Sequence, residues 1–170
     1  DAEIATIYTH LFGAVTFPSG LLGPLVELAD GNPLYALEYT RMLVEQGTLR
    51  PFDVLTSQEL PMPDSVHAVI ANRVDLLDGA DRAVLQAAAV VGMEFWPGAV
   101  AAAMGGRPAD AIERSLRRLE QRDLIHEQAA STMAGQTEYC FGHVLVRDVC
   151  YQRLPRTERV ARHELTADWL

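Results

Sequence analysis

The sequence predicts a mainly helical chain in two parts, the second of which contains a small β-hairpin between its helices. Three observations predict this class. Apolar residues make up 49% of the 170 residues, and most of them recur at helical spacing. Glycine and proline residues divide these stretches into segments of helix length. Two short runs between residues 124 and 141 have the composition of strands instead.

The first part contains three predicted helices. They cover Ile4–Phe12, Leu21–Asp30 and Leu34–Gln46, and a glycine follows the end of each. Asn32 is a good N-cap for the third helix, and Pro33 suits its first position. Short β-like pieces are expected around Thr48–Arg50 and Gln58–Leu60. The Pro61-Met62-Pro63 stretch is the predicted domain boundary.

The second part contains six predicted helices and two strands. The first helix is capped by Asp64 or Ser65 and runs through Leu77. The others cover Asp81–Val91, Pro97–Met104, Ala109–Arg122, His143–Leu154 and Glu158–Leu170. The strands, Leu124–Gln128 and Glu138–Phe141, are joined by a loop that contains glycine. From Asp81 the order is helix, short helix, helix, strand, loop, strand, which is the order of a winged helix-turn-helix.

The composition excludes several function classes. All 14 basic residues are arginine, so a Walker A phosphate loop and Schiff-base chemistry on lysine are both excluded. The net charge of −9 argues against a general polyanion binder. The most apolar stretch, Ala83–Gly106, is interrupted by Gln86, Glu94 and Pro97, so we expect no membrane span. Only two cysteines are present, which indicates a reduced, cytoplasmic setting.

The predicted helix Ala109–Arg122 occupies the position of a recognition helix. Three of its arginines recur every four residues and could meet DNA phosphates, namely Arg114, Arg118 and Arg122. However, Asp110 lies one turn before Arg114, and such pairs are typical of a solvated helix face. The predicted hairpin loop also contains no arginine or lysine. We therefore expect no DNA contact by this segment, and DNA binding is the alternative.

Metal binding and catalysis find little support in the sequence. Cys140, His143 and Cys150 could be assembled into a metal site, but their spacing matches no zinc pattern. We expect two buried cysteines and no metal. The remaining histidines are isolated from one another: His10, His67, His126 and His163. No nucleophile–base pairing or catalytic motif is present, so we expect no enzyme activity in this segment.

The segment Gly31-Asn32-Pro33-Leu34 predicts a tight turn followed at once by a helix N-terminus. Free N–H groups and the helix dipole at such a place favour an anion or an acceptor atom. The proline ring also offers a rigid apolar face for a planar base. A common capping turn has the same features, so this segment alone assigns no function.

Several recognisable motifs follow one another along the chain. Residues 31–39 with 43–47 resemble "GNPLFxxEL…LxxxG", and residues 60–66 with 70–77 resemble "LPxPxSVxxxIxxRLDxL". Residues 87–95 resemble "AAVLGREF", and residues 139–151 resemble "YxFxHxLxRxxxY". In this order, these segments resemble bacterial STAND-type signalling ATPases, which include LuxR-type transcription factors and ATPase-linked nucleotide cyclases. Residues 162–165 resemble the start of the helical repeats that usually follow in that family.

The resemblance implies an ATPase module made of a P-loop core, a helical lid and a winged-helix domain. Residues 1–60 would be the lid, residues 61–154 the winged helix, and residues 155–170 the first piece of a TPR-like repeat array. The P-loop core would lie upstream, so we read the chain as a segment of a longer protein. Its partners would be that core and the downstream repeats.

The resemblance also implies a ligand, ATP or ADP, and a set of contacts. In related switches a Gly-x-Pro turn of the lid packs on adenine, which implies this role for Gly31, Asn32, Pro33 and Leu34. Those switches use a winged-helix histidine to sense the β-phosphate; here that is His143, with Arg147 one turn on. A helix-capping role for His143 is the other interpretation. The implied mechanism is a nucleotide-gated conformational switch.

Overall fold

The computed structural model describes residues 2–12, 22–47 and 63–170. This part of the chain is mainly helical, with nine helices and one three-stranded antiparallel sheet. The helices are α1 (Ala2–Phe12), α2 (Leu22–Ala29), α3 (Pro33–Glu45), α4 (Val66–Asp75), α5 (Gly79–Val91), α6 (Pro97–Ala103), α7 (Ala109–Gln121), α8 (Val144–Gln152) and α9 (Arg156–Trp169). The strands are β1 (Glu94–Phe95), β2 (Ile125–Glu127) and β3 (Tyr139–Phe141). Two compact units divide between Leu76 and Leu77.

The first unit contains α1 to α4 around a core that includes three tyrosines. Tyr8 and Tyr39 are fully buried, and the Tyr8 hydroxyl donates to the Leu25 carbonyl at 3.2 Å. The rings of Tyr35 and Tyr39 stack with centroids 5.7 Å apart. The Tyr35 hydroxyl donates to the Pro63 carbonyl at 2.7 Å, and burial raises the pKa of Tyr35 to about 12. These tyrosines therefore act as core residues that carry one satisfied polar atom each.

A buried ion pair joins α3 to α4. Arg73 is 1% exposed and pairs with Glu38, which is 2% exposed. Its Nη2 and Nε atoms also donate to the two carboxylate oxygens of Glu45, at 2.7 and 3.2 Å. Glu38 and Glu45 are seven residues apart and so lie on one face of α3. Arg73 is thus a polar centre within an otherwise apolar contact.

The division between the units differs from the boundary predicted after residue 60. The structure groups α4 with the helices before it, because the buried face of α4 packs on α3 through Arg73. Proline punctuation marks a break in the chain, but the partner of a helix depends on its buried side chains. Pro61 and Met62 lie outside the described residues, as do the predicted β-like pieces at 48–50 and 58–60.

The second unit contains α5 to α9 and the sheet, in which β3 lies between β1 and β2. Phe95 pairs with Tyr139, and Ile125 pairs with Phe141. The Phe95 ring is fully buried and lies 5.4 Å from that of Phe141, centroid to centroid. The sequence analysis missed β1, because two residues are too few to show strand alternation. The two predicted strands are present, each shorter by one or two residues.

The last helix, α9, belongs to the second unit and packs on α5 and α6. Gly98 of α6 provides the space for this contact, since a Cβ atom there would lie 2.6 Å from a ring carbon of Trp169. The sequence analysis assigns residues 155–170 to a separate repeat region, whereas these contacts attach them to the preceding helices. Among the described helices, none combines the length and the apolar character that crossing a membrane requires.

Candidate functional site

The Gly31–Leu34 turn connects α2 to α3 through two left-handed residues. Asp30 has a φ of 43° and Gly31 a φ of 71°, a region that glycine enters at little cost. Asn32 then takes an extended conformation and caps α3. Its Oδ1 atom accepts from the backbone N–H of Leu34 at 3.0 Å and of Tyr35 at 3.2 Å. The predicted cap and the proline at the first helical position are both confirmed.

This capping leaves the turn with little capacity to bind an anion. Pro33 has no N–H, Asn32 occupies the N–H groups of the next two residues, and Ala36 donates to the Asn32 carbonyl at 3.2 Å. What the turn offers to a ligand is its surface: Gly31 and Pro33 are exposed and Leu34 is half-buried. Its geometry suits contact with a planar apolar group better than contact with a phosphate.

His143 lies at the start of α8 and caps it. The backbone N–H of Leu145 donates to His143 Nδ1 at 3.1 Å. Because Nδ1 acts as the acceptor, the proton of the neutral ring is assigned to Nε2. The side chain is half-buried, so the structure gives His143 a capping role and leaves Nε2–H as a donor.

Arg147, one turn along α8, is held by three contacts. Its Nε atom donates to the carbonyl of Ala89 in α5 at 3.1 Å. Its Nη1 atom donates to Asp148 at 3.1 Å, and its guanidinium lies over the ring of Tyr151. Arg147 therefore connects α8 to α5, and two of its five N–H donors are occupied.

The predicted nucleotide-contacting residues fall into two groups. Gly31, Asn32, Pro33 and Leu34 belong to the first compact unit, whereas His143 and Arg147 lie one helical turn apart in the second. Within each group the residues are neighbours, as the sequence predicts. The sequence did not predict the hydrogen bond from Arg147 to the Ala89 carbonyl, because the two residues are 58 positions apart.

Two of the three arginines considered for DNA contact are engaged with acidic residues. Arg114 pairs with Asp110 at 2.6 Å, the i,i+4 pair that the sequence predicts. The Nε atom of Arg118 donates to Asp81 of α5 at 2.8 Å, and Asp81 is only 3% exposed. Arg122 is half-buried at the C-cap of the helix. This helix face is therefore less positive than its sequence indicates.

The loop between β2 and β3 is organised by Glu138, which the sequence analysis did not single out. Its carboxylate accepts from the N–H and the hydroxyl of Thr132, at 2.7 and 2.6 Å, and from the Trp96 indole at 3.1 Å. The hydrogen bond from the Thr132 hydroxyl is the main cause that lowers the pKa of Glu138. Gln136 accepts from the N–H of Gly98 at 3.3 Å, beside a cleft of ≈ 260 Å³ between this loop and α6–α7. The loop is thus ordered by fixed polar contacts.

The cysteines have the character of structural residues. Cys150 is buried, and burial raises the pKa of its thiol to about 12. Cys140 is half-buried, and Gln128 donates to its sulfur at 2.7 Å. Both thiols are free. Over the described residues, no three His, Cys, Asp or Glu side chains form a group that could hold a metal ion.

No protein-family model, curated protein or solved structure to which the chain was compared matches it.

Proposed function

We propose that this chain is the helical lid and winged-helix portion of an ATP- or ADP-dependent signalling ATPase of the STAND type. The observation that carries the proposal is the Gly31–Leu34 turn: a capped helix start that exposes a proline ring at the position where the resembling family packs on adenine. In this proposal the chain does not catalyse a reaction. It closes over a nucleotide held by a P-loop core elsewhere in the same cytoplasmic protein.

The winged-helix part of the proposal is supported by the order of elements in the second unit. From α5 onward the order is helix, strand, helix, helix, strand, strand, and β2 and β3 form an antiparallel hairpin. The loop between them, ordered by Glu138, would be the wing. In the proposal this unit serves as a moving part of the switch.

Each proposed contact has a limited chemical role. Pro33 would provide an apolar face for adenine, and Gly31 allows a close approach because it has no side chain. The Nε2–H group of His143 would donate to a phosphate oxygen. Arg147 would position α8 through its hydrogen bond to the Ala89 carbonyl and add positive potential, and two of its N–H donors are already used.

A switch requires contacts that differ between the ADP and ATP states. A ligand shifts an equilibrium only by the difference in its affinity for the two conformations. With ADP bound, the lid and the winged helix would each close on the P-loop core. Exchange for ATP would weaken this closed state and change what the downstream repeats contact.

The alternative, a winged-helix domain that binds DNA, has less support. Arg118 is held by the buried Asp81, Arg114 pairs with Asp110, and the hairpin loop carries no arginine or lysine. Binding to phosphates requires cations that are free to reach them. Tight, salt-sensitive binding of duplex DNA by this chain would favour the alternative.

The decisive experiment measures ADP release from the protein that contains both this chain and its P-loop core. Pro33→Ala should speed the release of a fluorescent ADP analogue about tenfold, because it removes about two methylene groups from the adenine contact. Pro108→Ala is the matched control, since Pro108 is also an exposed proline at a helix start. Equal release rates from both variants and the unsubstituted protein would remove the assignment.

The isolated chain provides an independent check. We expect the isolated chain to bind ATP and ADP weakly, because most phosphate contacts would belong to the P-loop core. Submillimolar binding or hydrolysis of ATP by the chain alone would contradict this division of roles.

A further inference from the structure

Tyr151 lies where α8 meets α9, and three positively charged or ionisable side chains surround it. The guanidinium carbons of Arg147 and Arg159 each lie 4.9 Å from the centroid of its ring. The phenol oxygen lies 3.0 Å from Nε2 of His163. These four side chains form the α8–α9 corner, which belongs entirely to the second compact unit.

The two carboxylates near this corner are already paired with arginines other than Arg159. Asp148 pairs with Arg147 at 3.1 Å, and Glu158 pairs with Arg162 at 2.5 Å. In the described part of the chain, the contact of the Arg159 guanidinium is the Tyr151 ring, and no carboxylate pairs with it. Among the described residues, Arg159 is therefore a cation without a paired carboxylate.

The local charge is opposite to that of the whole protein. Residues 147–163 contain five arginines and two acidic residues, in a chain with a net charge of −9. Like charges repel, so an anion bound beside Arg159 would offset part of this local surplus. The corner thus combines a surplus of positive charge with a half-buried aromatic ring.

The geometry also leaves suitable donors. A guanidinium that lies over a ring interacts through its π face, and its in-plane N–H groups remain for hydrogen bonds. Arg159 therefore presents a fork of donors, and such a fork matches two oxygens of a phosphate group. His163 is exposed beside the phenol, and its imidazole ring adds a further N–H donor.

We propose that the α8–α9 corner binds a phosphate group, either free phosphate or the phosphate of a small phosphomonoester. Arg159 provides the bidentate contact and His163 the second one. Arg147, fixed by Ala89, and Tyr151 form the platform that holds Arg159 in place. This site uses neither the proline turn nor His143 and shares only Arg147 with the proposed nucleotide switch, so Arg159→Met and Pro33→Ala test the two proposals separately.

The test is a titration of the full chain with inorganic phosphate and with a sugar phosphate, at constant ionic strength. We expect saturable binding, which isothermal calorimetry and the NMR signals of His163 both measure. Arg159→Met should weaken it about tenfold or more, because a charged hydrogen-bonding partner is lost. Arg107→Met is the matched control, since Arg107 is an exposed arginine of the same unit and its removal changes the net charge equally. Its affinity should be unchanged.

Two results would overturn the proposal. One is the absence of saturation with both probes. The other is an equal loss of affinity in Arg159→Met and Arg107→Met, which would indicate a general charge effect. If both probes bind, their relative affinity identifies the source of the phosphate group. Tighter binding of the sugar phosphate indicates a phosphomonoester, and equal binding indicates free phosphate.

Discussion

Arg73 lies in the middle of the buried face of α4, where the spacing of Val66, Ile70 and Leu77 predicts an apolar residue. Its guanidinium is instead neutralised by Glu38 and by Glu45. The helical spacing of these residues shows that Arg73 lies on the apolar stripe of α4. An arginine at such a position predicts a buried acidic partner, because an isolated buried charge is very unfavourable.

Replacement of Arg73 tests this interpretation. Arg73→Met should lower the free energy of unfolding of the first unit by about 3–5 kcal/mol, since it leaves a buried carboxylate without its main partner. Denaturant unfolding followed by helix circular dichroism measures the effect. Tryptophan fluorescence reports the second unit separately, because Trp96 and Trp169, the only two tryptophans of the chain, both belong to it.

The control for this experiment is Arg41→Met. Arg41 contacts the same carboxylate, Glu38, at 3.0 Å, but its side chain is 27% exposed. Its loss should cost only about 1 kcal/mol, as is typical of solvated pairs. If both substitutions cost the same, the pair between Arg73 and Glu38 does not stabilise the fold as argued.

At the level of elements, local capping and close packing act together in the second unit. Asp78 caps α5, His143 caps α8, and both caps follow from residue types that accept backbone hydrogen bonds. The position of α9 has a different origin. It depends on the missing side chain of Gly98, which lets the ring of Trp169 lie directly on α6.

Gly98→Ala should therefore destabilise the second unit. The added Cβ atom would lie 2.6 Å from Trp169, so the ring must move, and such overpacking costs about 1–3 kcal/mol. Denaturant unfolding followed by tryptophan fluorescence measures the cost, and collisional quenching measures the exposure of the ring. The free energy of unfolding should fall, and the quenching of tryptophan fluorescence should increase.

Gly79→Ala provides the comparison, because a Cβ atom at Gly79 meets nothing within 4 Å. This substitution in α5 should be neutral or slightly stabilising. A second check combines Gly98→Ala with Trp169→Leu, which removes the clash. If Gly98→Ala lowers the free energy of unfolding equally in the presence and absence of Trp169, the contact with Trp169 does not cause the destabilisation.

At the level of the whole molecule, the two units differ in their buried ionisable groups. Burial raises the pKa of Tyr8, Tyr35 and Tyr39 in the first unit, and that of Tyr35 rises from 10.0 to about 12. The folded state then favours the neutral phenols. Their contribution to stability is fully present below the ordinary pKa of tyrosine and is lost as the pH rises towards the folded value.

The first unit should therefore lose stability between about pH 10 and about pH 12, because the unfolded chain releases these protons first. Urea unfolding at a series of pH values, followed by circular dichroism, measures the loss. Tyrosinate absorbance should rise together with the loss of helix. The prediction is wrong if all tyrosines ionise near their ordinary pKa while the helix signal stays intact.

Parts of the candidate site were predictable to different degrees. The cap at Asn32 and the proline at the start of α3 follow from residues next to each other in sequence, and the structure has both. The function of the turn is not fixed by such local signals. For Arg147 the sequence indicates its place one turn after His143, but its bond to Ala89 depends on which helix the fold brings within reach of a long side chain.

The sequence by itself determined which segments are helices, where caps begin them and which faces are apolar. These features depend on residues a few positions apart, whose preferences act before any tertiary contact forms. Only the tertiary structure decided the grouping of α4 with α3, the strand β1, the docking of α9 and the cations around Tyr151. Each of these depends on side chains far apart in sequence, such as Arg73 and Glu38, 35 residues apart. Whether such side chains meet depends on how the helices pack, which no local pattern records.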